Sequence, residues 1–463
     1  MPKWSDAAFP AFLLVLIIFA KLPTANFDYY WDEMVFASQA KFLAVHGFLQ
    51  AIPYGVMHPP LFLWIMAAAY SVFGESPFLS HAIIAVFSFI GAYFTYLLGN
   101  HLFGKRVGIA ASLLLIFSPM YFAISGQALF DVPLTATTMA TLYFGIRKKL
   151  LPFLLAGTAL VLTKEPGFLA VLAITFFYVA RREKPRVIVI SLVPVMVFAL
   201  WFVYAVAAGY LHQGVSFSSI TLVASKALSN LYQVLIWNYN WALTVPVILA
   251  LATRKVHADD LRGAAPLLLV GLLYLALFTI GPVPVLPRYL LPVMPVFFIL
   301  AALCLDRTTR RPWFIIAIVL ILFVSAYRWN DGLKGAIQDP VFSSGLLGVR
   351  LTSVENGELS LDYADAVDVE TQATRYIFDN RPGSTVAAAW PLAHNMTLDT
   401  NAGYRQWRRY NITVLDPTAV NIAKVDLLVV DDCCTPQGAD LSKMELLRSF
   451  ESGTKRAAVY KVH

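Results

Sequence analysis

Apolar residues run along this chain in stretches of membrane length, and the polar residues between them come in short groups. Eleven such stretches lie near residues 7–23, 79–103, 107–125, 129–146, 150–163, 166–180, 187–208, 239–253, 264–286, 288–305 and 312–328. An α-helix needs roughly 20 apolar residues to cross the hydrocarbon of a bilayer. The pattern therefore predicts an all-α polytopic membrane domain over residues 1–329, with about 11 transmembrane helices. Two intervening stretches are too long for turns. Residues 24–78 hold an amphipathic segment at 31–46 and an apolar run at 61–73 that is too short to span; both predict helices lying at the outer face. Residues 209–238, rich in Ser, Tyr, Gln and Asn, predict a mobile loop over the same face. After Arg328 the pattern turns globular. Helices at 365–379 and 441–450, with strands at 385–390, 425–430 and 457–462, predict a small C-terminal α/β domain over residues 330–463.

Composition sharpens this. Of the 463 residues 59% are hydrophobic and 14% charged, against the roughly 25% charged of soluble chains, so a soluble, disordered or disulfide-scaffold protein is excluded. The net charge of +7 hides a split: residues 1–328 carry 22 Lys and Arg against 11 Asp and Glu, and residues 329–463 carry 13 against 17. The basic residues of the first part sit in clusters between apolar runs, at 105–106, 147–149, 181–186, 254–262 and 307–311. With Lys3 these fall on one side of the membrane, where basic residues mark the cytoplasm. Only Lys21, Lys41, Lys164, Lys226 and Arg288 fall on the other side before the tail. The N-terminus is thus expected in the cytoplasm and the tail outside a plasma or inner membrane. Such clusters are topology signals, which argues against nucleic acid as a partner. Residues 7–20 with Lys3 have the make-up of a signal peptide, but no small-residue cleavage site follows, so a retained helix is expected. Cys304 lies in an apolar run, and Cys433 and Cys434 are adjacent, a spacing that rarely pairs.

Ionisable side chains near a bilayer are costly, so those outside the cytoplasmic clusters need a reason. They fall at the outer face in five places: Asp32 with Glu33; His58 before Pro59 and Pro60; Asp131, two residues before Pro133; Lys164 with Glu165; and Arg288 with Tyr289. Each also has a structural reading. Asp32 and Asp131 suit helix N-caps, and Glu33 lies about 100° around the helix from Asp32. His58 suits an interfacial anchor, and Lys164 and Glu165 suit a local pair or a snorkelling cation. Arg288 runs against the charge bias of its side, which weakens its structural reading most.

In order along the chain the motifs are Trp31-Asp32-Glu33, His58-Pro59-Pro60-Leu61, Asp131-Val132-Pro133-Leu134, Thr163-Lys164-Glu165-Pro166-Gly167 and Pro287-Arg288-Tyr289-Leu290-Leu291-Pro292. Over residues 1 to about 330 this ordered set resembles the GT-C class of polytopic glycosyltransferases. Within it, the set resembles family 39, which includes protein O-mannosyltransferases and lipid A aminoarabinose transferases. The resemblance implies a GT-C fold and transfer of a sugar from a polyprenyl-phosphate carrier to an acceptor hydroxyl of a lipid, glycan or protein in the cell envelope. It also implies roles. Asp32 matches the loop acid that serves as base or acceptor-positioning group, and Asp131 matches the second acid. His58 stands where relatives have His or Lys, and Arg288 matches the cation facing the carrier phosphate. Lys164, Glu33, Glu165 and Tyr289 are further substrate-binding candidates.

The chemistry agrees independently. No Gly-rich phosphate loop follows a strand, and no cytoplasmic segment is large enough for a nucleotide-sugar domain. The donor is then expected to arrive through the membrane. Displacement at an anomeric carbon needs a carboxylate for the acceptor proton and cations for the departing phosphate. Asp32 or Asp131 supplies the first; Arg288, Lys164 or His58 supplies the second. Asp32, His58 and Asp131 are also residue types that hold divalent metals, but their spacing carries no metal signature, so a metal stays unassigned. The competing class is a transporter or flippase of lipid-linked sugars, which predicts internal repeats and helices broken at the midplane; neither is visible. Two sequons, Asn395-Met396-Thr397 and Asn411-Ile412-Thr413, carry no expectation of modification.

Overall fold

The computed structural model describes residues 4–50, 52, 58–208, 220–236, 240–281, 286–309, 312–326, 363–388, 413–415, 425–431, 440–453 and 455–462. The helices are α1 (Trp4–Lys21), α2 (Asp32–His46), α3 (Leu61–Phe73), α4 (Pro77–Phe103), α5 (Lys105–Phe117), α6 (Pro119–Ile124), α7 (Asp131–Ile146), α8 (Leu150–Val161) and α9 (Phe168–Ala180). They continue with α10 (Pro185–Ser191), α11 (Val193–Ala207), α12 (Ile220–Leu235), α13 (Trp241–Ala252), α14 (Ala258–Ile280), α15 (Met294–Thr308), α16 (Pro312–Ala326) and α17 (Tyr363–Asn380). Within the described residues, every apolar stretch seen in the sequence contains a helix or a pair of helices. Among the described residues, four helical segments are long and apolar enough to cross a membrane: Pro77–Phe103, Pro185–Ala207, Ala258–Ile280 and Pro287–Thr308. Prolines shorten several others. Ser118–Pro119 separates α5 from α6, and Pro292 and Pro295 lack the N–H an α-helix needs. The expected start of a helix at residue 288 is accordingly a 3-10 turn, Pro287–Val293, which leads into α15.

Two compact units make up the chain. The first comprises Met1–Leu22, Gly55–Phe62 and Ile84–Ser360; the second comprises Pro23–Tyr54, Leu63–Ile83 and Leu361–His463. At the core of the first lie α7 and α15, buried on nearly every face; α15 is largely apolar, and on α7 the Thr135, Thr137 and Thr141 hydroxyls donate to carbonyls one turn back. α7 packs on α8, α9 and the Pro287–Val293 turn, and α15 packs on α5 and α13. Small residues let backbones approach: a Cβ on Gly99 would meet the Gly108 Cα at 2.9 Å, and one on Gly108 would meet the Tyr96 carbonyl oxygen at 2.5 Å. Gly104, with φ +102°, makes the single-residue turn between α4 and α5 that this crossing requires.

The second unit contains the C-terminal α/β fold. Its sheet has strands β1 (Thr385–Ala388), β2 (Thr413–Leu415), β3 (Leu427–Asp431), β4 (Glu445–Ser452) and β5 (Lys455–Lys461), in the order β2-β1-β3-β5-β4. β1 runs parallel to β2 and β3, while β3–β5 and β4–β5 are antiparallel. Val369, Ala373, Ile377 and Phe378 of α17 bury one face of the sheet against Val386, Ala388, Leu427, Val429 and Val459.

Two expectations are corrected. Residues 441–450 are a 3-10 turn, Leu441–Lys443, followed by β4 rather than a helix. A bulge between Leu446 and Arg448 resets the strand's alternation, so Leu447 and Phe450, three residues apart, both pack on the α17 core. That spacing imitates a helical period. The loop expected at 209–238 contains the four-turn helix α12. The rest of that loop except residue 236, residues 389–390, Cys433, Cys434, the first sequon and Asn411 with Ile412 lie outside the described residues.

Replacing Gly108 with Val forces a branched side chain into the α4–α5 crossing. Overpacking of this kind costs about 1–3 kcal/mol, so the variant is expected to melt several degrees lower in detergent. An unchanged melting temperature would show that the helices part there freely.

Candidate active site

The first unit brings together most of the outer-face candidates. His58 precedes the two prolines that open α3, and the Leu61 amide donates to the Leu162 carbonyl at 2.8 Å, tying this entrance to the end of α8. After α8 the chain turns through a 3-10 turn, Glu165–Gly167. Pro166 suits the start of that turn. Gly167 is required by space, because a Cβ there would meet the Leu160 carbonyl oxygen at 2.6 Å. Lys164, just before the turn, is extended, so it and Glu165 send their side chains to different partners.

The Lys164 ammonium donates to the Asp131 carboxylate at 2.7 Å, and both side chains are buried. Asp131 is therefore not a cap; Phe130 holds that position at the start of α7, and the carboxylate answers Lys164 instead. Glu165 turns to His58, whose Nδ1 lies 2.9 and 3.1 Å from its two oxygens. The His58 ring also packs on Phe130, centroids 4.7 Å apart. The Pro287–Val293 turn completes the cluster. The Lys164 Nζ stands 4.7 Å above the Tyr289 ring, a cation–π contact worth more when desolvated. The Arg288 guanidinium carbon stands 5.7 Å from the same ring, which itself stacks on Phe278. Arg288 is buried. His58, Asp131, Lys164, Glu165, Arg288 and Tyr289 thus form one assembly in which two carboxylates face three cationic or ionisable nitrogen groups. It is suited to hold an anion and to fix it in orientation.

Asp32 and Glu33 belong to the second unit. Trp31 occupies the cap position of α2 and Asp32 its first turn, so Asp32 is not the N-cap that the sequence also allowed. Asp32 is partly exposed, and Glu33 is fully buried. One Glu33 oxygen accepts from the Tyr30 amide at 2.9 Å, and the other lies 3.0 Å from His81 Nε2. His81 Nδ1 in turn lies 3.2 Å from the Ala25 carbonyl. Between Tyr30 and Asp32 the backbone of Trp31 has φ 53° and ψ −127°, a strained conformation for a bulky residue that persists only where neighbours fix it. Tyr29, Tyr70 and Ser80 add a buried hydroxyl network beside this brace.

Sequence reasoning missed His81. The signal was present: it is an ionisable residue near the start of a largely apolar helix. Lys21 is a further buried cation, donating to the Phe122 carbonyl and lying 4.2 Å from that ring; it joins the end of α1 to α6. Among the described residues, no group of three or more His, Cys, Asp or Glu side chains is placed to hold a metal ion.

Residues 57–198 match the family described as dolichyl-phosphate-mannose-protein mannosyltransferase, a segment that contains His58, Asp131, Lys164 and Glu165. No curated protein matches the chain. Among solved structures, ArnT from Cupriavidus metallidurans in the apo state is similar, with a TM-score of 0.60 at 14% identity, covering 98% of this chain and 98% of that one. ArnT of the same organism bound to undecaprenyl phosphate gives a TM-score of 0.59 at 14% identity with the same coverage. At that identity the likeness establishes the fold. The family match over part of the chain and the ArnT-like fold agree with the GT-C-class membrane glycosyltransferases, and with the family 39 type, that the ordered motifs resemble.

The Glu33–His81 brace gives a direct test. Removing one partner of a buried hydrogen bond costs about 1–3 kcal/mol, and more for a charged group, because the other partner is left buried and unsatisfied. His81→Leu is expected to lower the melting temperature markedly in detergent, and adding Glu33→Gln on that background is expected to recover much of the loss. Equal melting of wild type and His81→Leu would show that the pair braces nothing.

Proposed function

We propose that this protein transfers a sugar from a polyprenyl-phosphate donor to an acceptor hydroxyl of a lipid, glycan or protein at the extracytoplasmic face. The observation that carries this reading is the buried assembly of Asp131, Lys164, Arg288, Tyr289, His58 and Glu165. Cations buried at one end of a membrane bundle suit an anionic headgroup whose tail lies in lipid. That ArnT binds undecaprenyl phosphate supports the same donor class. Lys164, Arg288 and His58 hold the phosphate, and Asp131 and Glu165 orient two of these groups. Because Asp131 already answers Lys164, Asp32 is the better base. Asp32 takes the acceptor proton as the acceptor oxygen bonds to the anomeric carbon; the bond from that carbon to the phosphate oxygen breaks, and the electron pair leaves with polyprenyl phosphate.

The positive-inside pattern supports a cytoplasmic N-terminus and about 11 crossings, shorter helices included. Residues 1–329 then form the transferase domain and 330–463 an extracytoplasmic domain that serves acceptor recognition. Asp431 ends an apolar strand, and the sequence puts no His, Ser or Lys at a catalytic spacing from it or from Asp432; Asp432 lies outside the described residues.

The test is release of polyprenyl phosphate when the purified protein meets a panel of polyprenyl-phosphate sugars with lipid, glycan and peptide acceptors. Release from one donor class is expected. Asp32→Asn is expected to abolish it by about 100- to 10,000-fold, the usual cost of a lost general base, with donor binding nearly unchanged. Asn also fits a first helical turn, so a structural role would leave turnover near wild type. No release from any donor, together with movement of sugar lipids across proteoliposomes, would favour a transporter.

A further inference from the structure

One helix of the first unit is amphipathic in the inverted sense. On α12, Lys226, Ser229, Asn230 and Gln233 are buried, while Leu228 and Leu231 are among the exposed large hydrophobic residues. The buried polar positions are spaced i, i+3, i+4 and i+7, a single stripe along one helix face. A polar stripe turned inward and leucines turned outward suit a helix with lipid on one side and a polar ligand on the other. α12 packs on α14 and on the Pro287–Val293 turn that carries Arg288 and Tyr289, which sets the stripe beside the proposed phosphate grip.

The hydrogen bonds of the stripe are incomplete. The Lys226 Nζ donates to the Gly281 carbonyl at 2.8 Å, and the Asn230 amide donates to Thr279 Oγ1 at 3.1 Å. The Gln233 amide donates to Ser229 Oγ at 3.2 Å. Asn240, just past the helix, donates its amide to the Val234 carbonyl at 2.9 Å and to that of Gln233 at 3.4 Å. Each of the last two side chains keeps one end unused: Gln233 Oε1 and Asn240 Oδ1 are buried with no hydrogen-bond partner among the described residues. Gln233 is 5% and Asn240 1% exposed. Asn240's orientation is fixed by the carbonyls it serves, so its free atom is an acceptor. A buried acceptor without a donor is costly, and such groups mark places where a ligand or water completes the set.

We propose that Gln233, on the α12 stripe, and Asn240, just past the helix, bind the hydroxyl groups of the donor sugar. This rests on the transferase reading of the adjacent site and adds the part of the substrate that the cations do not explain. An ionised phosphate has no proton to give Asn240 Oδ1; a sugar hydroxyl donates and accepts, and so serves both amides. Neutral amides also add no charge that would hold the sugar after transfer.

The test uses the full-length protein in nanodiscs with two kinds of probe: undecaprenyl-phosphate-linked hexoses and pentoses, and undecaprenyl phosphate alone. Gln233→Met and Asn240→Leu keep volume and remove the amide. Each is expected to weaken binding of the sugar-bearing probe that wild type prefers by about tenfold, the order of one lost hydrogen bond to a buried group. Binding of undecaprenyl phosphate alone is expected to stay unchanged. Gln233→Glu, which keeps an acceptor in place, is expected to bind the sugar-bearing probe better than Gln233→Met. Unchanged affinity for the sugar-bearing probe, or an equal loss on both probes, would overturn the proposal and leave the stripe as helix packing or a water site. A wild type that binds neither probe would instead bring down the transferase reading, and this inference with it.

Discussion

Asp131 and Lys164 are buried together, 2.7 Å apart, and neither charge is tolerable there alone. Removing a charge from water in a chain that crosses a bilayer is among the larger costs a fold can carry. Much of the first unit is arranged to meet it. α7 delivers the aspartate from its first turn, the extended residue before the Glu165–Gly167 turn delivers the lysine, and Tyr289 offers its ring face to the ammonium. Gly167 allows the close approach that places Lys164 at all. Replacing such a pair with apolar residues commonly leaves a protein as stable or more so, so stability alone does not account for keeping it. The proposed grip on a phosphate gives a reason to keep it.

The membrane-spanning part of the fold was legible because lipid removes alternatives. Backbone groups in hydrocarbon must bond within their own helix, so long apolar runs allow one local structure, and the helices fall where those runs lie. The pattern failed where apolar spacing and tertiary context disagree. Leu447 and Phe450 share the core face of β4 through a bulge that no periodicity shows. Residues 220–235 read as a loop from their Ser, Gln and Asn content, yet they form a helix whose polar residues face inward. Composition marks polarity and not the side on which it sits.

The site was legible in part for the same reason. Ionisable residues outside the basic clusters stood out against an apolar background, and His58, Asp131, Lys164, Glu165, Arg288 and Tyr289 converge. What could not be read was who pairs with whom. Lys164 and Glu165 looked like a local pair, but they diverge to Asp131 and His58, partners 33 and 107 residues away in the chain. His81 was hidden as one residue in a 27-residue helix, although it holds Glu33, the neighbour of the proposed base. Pairing across such distances is a property of the fold.

The central claim is that the buried cations of the first unit hold the phosphate of a lipid carrier. It is tested most directly by comparing binding of undecaprenyl phosphate and undecaprenol, which differ only in that group, to the purified protein. Wild type is expected to prefer the phosphate by at least about tenfold, the low end for charge-assisted hydrogen bonds. Arg288→Ala is expected to lose most of that preference, and Arg288→Lys, which keeps the charge without the planar fork, to retain an intermediate share. Equal affinity of wild type for the two lipids, or a preference untouched in Arg288→Ala, would contradict the account.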